Sequence, residues 1–196
     1  MDRRSFLAGL GTAGVLASMT FPGVQRRVSI ADQDSVPDEY EVSIEVELLQ
    51  PVVTDSHPAQ LEITTTNEGP ERALSVGPRW CGLFSRGRGT VEPEGLRLRV
   101  PGRFFEGMRR DGNRWQRDPS SPSGFTPAHG CVPTLYEPGE SVTNEYELWD
   151  DHTVEGYLEP GTYRFETELG VRDGPYADET HDSFTWGFSL TIENPG

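Results

Sequence analysis

The chain of 196 residues contains no lysine: all 17 of its basic residues are arginines, and they stand against 32 aspartates and glutamates. The formal net charge is −15, which argues against a nucleic-acid-binding protein because such proteins need a cationic surface. At about 1 M salt the Debye length falls to roughly 3 Å, so repulsion between surface carboxylates is largely screened. We therefore expect a protein of the kind found in extreme halophiles; an ordinary acidic exported protein is the alternative.

Cysteine is also scarce, since the chain has only Cys81 and Cys131. No C-x-x-C spacing supports a redox or metal pair. In an exported protein an even count indicates a structural disulfide, and here it would close a loop of about 50 residues.

Motifs that assemble catalytic or metal chemistry are absent. The four histidines stand apart, without H-E-x-x-H or H-x-H spacing, and no G-x-S-x-G elbow or nucleotide fingerprint occurs. Copper would need a Cys, a His and usually a Met close to one strand end, which the chain does not offer. We therefore predict no catalytic residue, no metal and no cofactor.

One group of carboxylates leaves a calcium site open as a weaker alternative. Its members fall near the end of the chain: Asp173, Asp178, Glu179 and Asp182. Calcium prefers oxygen ligands, but this spacing matches no defined calcium loop, and carboxylates are common throughout the sequence.

The N-terminus carries an export pattern. Arg3 and Arg4 open an R-R-x-F-L motif that is followed by a short, small and apolar run at residues 8–17. This is typical of a twin-arginine signal and too short for a comfortable membrane span; a disordered basic tail is the alternative. We assign residues 1–31 to the signal and a linker, and expect residues 28–39 to be a flexible leader. The protein would then be extracellular or at the cell surface, touching the membrane only through an uncut signal.

Alternating apolar and polar residues dominate the rest of the chain. The clearest runs lie within residues 42–48, 61–65, 96–100, 142–148, 163–169 and 184–192. A period of two is typical of half-buried antiparallel strands, and no helical period appears. Leu158, Pro160, Gly161 and Tyr163 match the corner at which a sandwich chain changes sheet, where a tyrosine hydroxyl bonds to nearby backbone. The prediction is an all-β, antiparallel, immunoglobulin-like β-sandwich of seven or eight strands over residues 32–196. The tryptophans, Trp80 included, are expected to supply its core.

Residues 101–133 break this pattern and predict a long irregular insertion rich in Gly, Pro and Arg. Nine of the 17 arginines fall between residues 86 and 117. Either they pair with the domain's own carboxylates, or the insertion binds an anionic or protein partner. In the second case arginine and aromatic side chains are the expected anchors. The candidate binding residues are Arg103, Phe104, Phe105, Arg109, Arg110 and Trp115.

Two segments resemble the BsuPI-like proteinase-inhibitor domains, which are small immunoglobulin-like modules. The first is a strand ending in Asn67 before a turn, and the second runs from Pro138-Gly139 through Trp149-Asp150 to Pro160-Gly161-Thr162-Tyr163. They cover about half of the chain beyond the signal, without residues 101–133 or the two cysteines. The resemblance implies inhibition but transfers no inhibitory residue. The chain is equally similar to exported proteins of halophilic archaea.

The leading expectation is an exported, non-catalytic module that binds an extracellular protein or a cell-surface component, and not nucleic acid. The alternatives are an inhibitor-like domain, a structural component of the cell envelope, and a hydrolase that uses His129 in the insertion.

Overall fold

The computed structural model describes residues 25–85, 87–102, 109–121, 131–173 and 181–194. Within them the chain forms eleven strands and two single-turn 3-10 helices, Asp38–Tyr40 and Arg79–Cys81. The strands are β1 (Arg26–Gln33), β2 (Val42–Gln50), β3 (Val52–Val53), β4 (Ala59–Asn67), β5 (Arg72–Leu74), β6 (Thr90–Glu92), β7 (Leu96–Arg99), β8 (Thr134–Tyr136), β9 (Ser141–Asp150), β10 (Gly161–Arg172) and β11 (His181–Glu193).

The strands form two antiparallel sheets that pack as a sandwich. Sheet A has seven strands in the order β3-β1-β11-β10-β5-β8, with β6 also paired to β10. Sheet B has the order β2-β4-β9-β7. The predicted antiparallel sandwich is confirmed, whereas the immunoglobulin-like topology remains a prediction. The expected strand number is too low because several strands are only two to four residues long, too short for a period of two to show in the sequence.

Alternation along the long strands builds the core between the sheets. In β9, Val142, Asn144, Tyr146 and Leu148 are buried, whereas Thr143 and Glu145 face outward. In β11 the fully buried rings of Trp186 and Phe188 lie 5.8 Å apart. Each large apolar side chain buried in this way stabilises the fold by about 1.5–3 kcal/mol.

The predicted corner between the sheets is confirmed at Tyr163. The chain leaves sheet B at the end of β9 and enters sheet A with β10. Leu158 is fully buried at this crossing, and the buried Tyr163 donates its hydroxyl hydrogen to the carbonyl oxygen of Glu159, 2.8 Å away. Burial raises the pKa of the Tyr163 phenol, with a smaller contribution from nearby carboxylates, so the hydroxyl stays a donor.

The flexible leader predicted for residues 28–39 is wrong at its start, because β1 lies inside sheet A between β3 and β11. Val28 is buried, Ile30 packs against the core, and Arg26 donates a hydrogen bond to the carbonyl oxygen of Leu158 at 2.8 Å. Among the described residues the first strand of the sandwich is thus Arg26–Gln33, which starts before the boundary predicted at residue 32. Asp34 continues the attachment, since its carboxylate accepts the Gly187 N–H and pairs with Arg164.

Gln33 protects the outer edge of sheet B. Its side-chain Nε2 donates to the carbonyl oxygen of Ile44 at 2.9 Å, and its Oε1 accepts the N–H of Val46 at 3.1 Å. The primary amide thus imitates the peptide group of a neighbouring strand and occupies the edge of β2, where an unpaired strand would otherwise invite another chain.

The outer face of sheet B carries a row of three glutamates across neighbouring strands. Glu47 lies opposite Glu62, and Glu62 lies opposite Glu145. Among the residues that the structure describes, none of the three has an ion-pair partner. Like charges placed directly opposite on adjacent strands destabilise a sheet, and this repulsion falls as salt rises.

Candidate functional site

The disulfide predicted from the cysteine count is confirmed. Cys81 and Cys131 are bonded, with their Cα atoms 5.6 Å apart and a separation of 50 positions in sequence. The bond joins the 3-10 turn at Arg79–Cys81 to the segment that leads into β8. It therefore fixes the far end of the insertion to the sandwich.

Part of the predicted binding loop can be placed. Arg103, Phe104 and Phe105 lie outside the described residues, as do Arg3 and Arg4 of the export motif. Of the remaining three, Arg109 pairs with Asp118 at 3.7 Å and is largely exposed.

Trp115 lies against the end of sheet B rather than standing free on the surface. Its indole N–H donates to the carbonyl oxygen of Thr54 at 2.6 Å, and its ring meets Trp149 edge-to-face at 5.6 Å. Arg110 covers the Trp115 ring at 4.2 Å, while Arg99 lies over Trp149 at 4.7 Å. The resulting Arg–Trp–Trp–Arg column docks residues 109–121 onto the sandwich, which gives Trp115 a packing role.

Other arginines are engaged by the domain itself. Arg97 pairs with Asp151 at 2.6 Å, and Arg72 pairs with Glu41 at 3.0 Å. Arg88 donates to the backbone carbonyl oxygens of Ser75 and Glu168. Arg88 and Arg97 belong to the arginine-rich region, and their contacts favour its self-complementary interpretation over an anion-binding one.

Asp150 is the buried carboxylate beside this column. Its Oδ1 accepts the N–H of Leu158 at 2.6 Å, whereas Oδ2 has no hydrogen-bond partner. Burial raises the pKa of Asp150, and the neighbouring Asp151 adds to the effect. Burial acts in the same direction on Asp151, but hydrogen bonds from Arg97 and Thr153 outweigh it and lower the pKa of that group.

A second surface, which was not predicted from the sequence, lies around the disulfide. Trp80, expected in the core, is 37% exposed, and Val132 is 78% exposed. Between Pro78 and Trp80, the exposed Arg79 adopts a left-handed conformation with φ 58°, which is uncommon for a residue with a side chain of this size. We call Arg79, Trp80 and Val132 the disulfide platform. The order Pro-Arg-Trp-Cys, a tryptophan beside a bridged cysteine in a turn, is the signal that could have revealed it.

A groove of about 330 Å³ runs from the platform to β9. It is lined by Arg79, Trp80, Val100, Pro101, Thr143, Asn144 and Glu145. Side chains of a strand point alternately to opposite faces, so three consecutive residues of β9 can line one groove only along the strand's edge. β7 covers this edge as far as the pair Arg99 and Glu147. Pro101 has no N–H with which to continue the ladder.

Metal-binding residues do not converge in the part of the chain that the structure describes, where no group of three His, Cys, Asp or Glu is placed to hold an ion. His129, Asp178 and Glu179 lie outside that part. None of the helices formed by the described residues has the length and apolar character needed to cross a membrane.

Comparison of the chain with models of known protein families, with curated proteins and with solved structures finds no match.

Proposed function

We propose that the protein is an exported binding module that recognises an extracellular protein or a cell-surface component through the disulfide platform. The observation that carries this proposal is the exposure of Trp80 and Val132 on either side of a covalent link. Tryptophan and arginine are the residues most often found at the energetic centre of interfaces. The disulfide holds the platform in place before binding, so that less conformational entropy is lost on association.

The proposal extends to the conditions in which the module works. An acidic, lysine-free chain with a row of facing glutamates is repelled by its own charges at low ionic strength. We propose that the protein folds and acts in concentrated salt after export by the twin-arginine pathway. Export of a disulfide-bonded protein into an oxidising compartment is consistent with the observed bridge.

The test is affinity capture from culture supernatant at molar salt, with the immobilised chain lacking its predicted signal. We expect the double variant Trp80→Ala, Val132→Ser to lose a partner that the wild-type protein retains. Leu49→Ala is the matched control, because Leu49 is 45% exposed on β2, away from the platform. Melting curves establish that each variant is folded before the comparison.

If all three proteins retain the same partners, the platform is not the recognition surface. A reduced and alkylated sample adds a second arm. There the partner should be lost when the platform is no longer held by the disulfide.

A further inference from the structure

We propose that the open edge of β9 binds an extended peptide segment of the partner as an added strand, with a basic side chain opposite Glu145 and an apolar side chain against Trp80 and Val100. This inference rests on the proposed binding function and specifies the chemistry of the partner. It concerns the groove of about 330 Å³ between the platform and β9.

The edge of β9 is covered over only part of its length. β9 has ten residues, but β7 pairs only with Glu147, Leu148, Trp149 and Asp150. No other described strand pairs with Thr143, Asn144 or Glu145 on that side, while β4 holds their opposite side. A strand edge presents a row of backbone donors and acceptors, and an extended peptide can satisfy them by continuing the sheet.

The contrast with the other edge of sheet B supports a binding role here. On β2 the side-chain amide of Gln33 already engages the backbone of Ile44 and Val46. On β9 the corresponding place is a groove with an exposed aromatic side chain in its wall. An edge of this kind is the one to which another chain adds most readily.

The surroundings of this edge indicate the chemistry of the outward-facing side chain. The glutamate row Glu47, Glu62 and Glu145 ends at this edge. A strand added to β9 would place its own outward residue beside Glu145. An arginine or lysine there would form a favourable cross-strand pair and offset the repulsion along the row, whereas an acidic residue would lengthen the repulsive series.

The groove indicates the chemistry of the inward-facing side chain. The residues of an added strand that alternate with the basic one point toward the sandwich interior. Val100, which packs against the core, and Trp80 both line this groove. Valine, isoleucine or leucine would bury apolar surface against these side chains. The expected ligand is therefore a segment in which apolar and basic residues alternate.

The experiment uses a short acetylated and amidated peptide in which valine and arginine alternate, titrated into the folded protein at moderate salt. A second peptide has the same sequence with N-methyl groups on alternate residues, which removes backbone donors but keeps every side chain. We expect the methylated peptide to bind about tenfold more weakly, because hydrogen bonds to the strand edge are lost. Hydrogen exchange should show new protection at residues 143–145 with the unmodified peptide only.

Charge reversal tests the side-chain chemistry. Glu145→Lys should weaken binding of the valine–arginine peptide and favour a matched valine–glutamate peptide. Glu45→Lys is the control, since Glu45 lies on the same sheet face but on β2. Either change adds a positive charge to an acidic face, so loss of the fold is not expected from charge alone, and the melting temperature verifies this.

The outcomes separate the inference from the function it rests on. Equal binding of the methylated peptide, or the same response from Glu145→Lys and Glu45→Lys, would overturn strand addition even if capture through Trp80 remains. Absence of binding by either peptide would also overturn it. Protection of residues 143–145 that rises with protein concentration alone would assign the edge to a second copy of the chain and contradict the peptide proposal.

Discussion

The two halves of β9 have opposite surroundings. Its C-terminal half, Glu147 to Asp150, is covered by β7 and by the docked segment at residues 109–121, with Trp115 and Trp149 in contact. Its N-terminal half borders a groove beside the disulfide platform, where Trp80 is 37% exposed. Among the described residues, one strand thus carries a sealed end, covered by β7, and an open end with which no strand pairs on that side. The comparison teaches that arginine and tryptophan do not by themselves mark an interface, because the same residue types stabilise the sealed end.

Among the variants that test this comparison, removal of the disulfide should lower the free energy of unfolding most. The double variant Cys81→Ser, Cys131→Ser releases a loop of 50 residues, and the loop-closure model then gives a loss of about 4 kcal/mol in the free energy of unfolding. Urea denaturation at fixed salt measures it. A loss below about 1 kcal/mol would mean that docking of residues 109–121 at the sealed end already restrains the loop.

Trp115→Ala should cause the second-largest loss, about 3 kcal/mol in the free energy of unfolding. It removes a large packed side chain and the hydrogen bond to Thr54. Trp80→Ala is the matched control at the open end. It should cost clearly less stability while lowering partner capture. Denaturation curves of both variants give the comparison, and equal losses would contradict the distinction between a sealed and an open end.

Asp150→Asn tests the buried carboxylate of the sealed end. Burial raises the pKa of Asp150 in the folded protein. Its contribution to stability is therefore fully present below the unfolded pKa and is lost as pH rises through the folded pKa. At neutral pH the variant should be more stable than the wild-type protein, because the buried charge is gone.

The measurement is the difference in melting temperature between wild type and Asp150→Asn from pH 4 to pH 7. The difference should grow as pH rises. A constant difference would show that Asp150 keeps an ordinary pKa, and that the amide alters only the hydrogen bond to Leu158.

Glu62→Gln should change the free energy of unfolding least. It acts on the row of glutamates that ends at the N-terminal half of β9. It removes the central charge between Glu47 and Glu145. At low salt this should stabilise the fold by about 0.5 kcal/mol, and the gain should vanish near 1 M salt. Glu45→Gln is the control, because Glu45 lies opposite Thr64. Equal gains in stability from both variants, or a gain that persists at high salt, would show that the gain does not come from relief of repulsion within the glutamate row.

The sequence predicted the long strands well because a period of two follows directly from burying one face of a sheet. β4 and β9 alternate over their whole length, and Tyr163 forms its hydrogen bond only four residues away, to Glu159. Such local patterns can be read without knowledge of the tertiary structure. The disulfide was equally accessible, since two cysteines in one chain allow a single pairing within it.

The rest depends on contacts between distant parts of the chain. Trp115 is placed by Thr54, which lies 61 residues earlier, and no local pattern encodes that hydrogen bond. β1 was missed because Asp32 and Gln33 give it the composition of a loop, although both residues pair with β11. Trp80 is exposed because it lies in a turn that is held by the disulfide between Cys81 and Cys131. The residue type alone had predicted a position in the core.

Gln33 limits how far the sheet could grow if two copies met through sheet B. A sheet that continued from molecule to molecule would need two strand edges on every molecule that are able to pair. Here the edge of β2 is occupied by the side-chain amide of Gln33, which forms hydrogen bonds with the backbone of Ile44 and Val46. A chain added at β9 would therefore terminate the assembly rather than propagate it, so recognition by strand addition could coexist with resistance to fibre formation through this sheet.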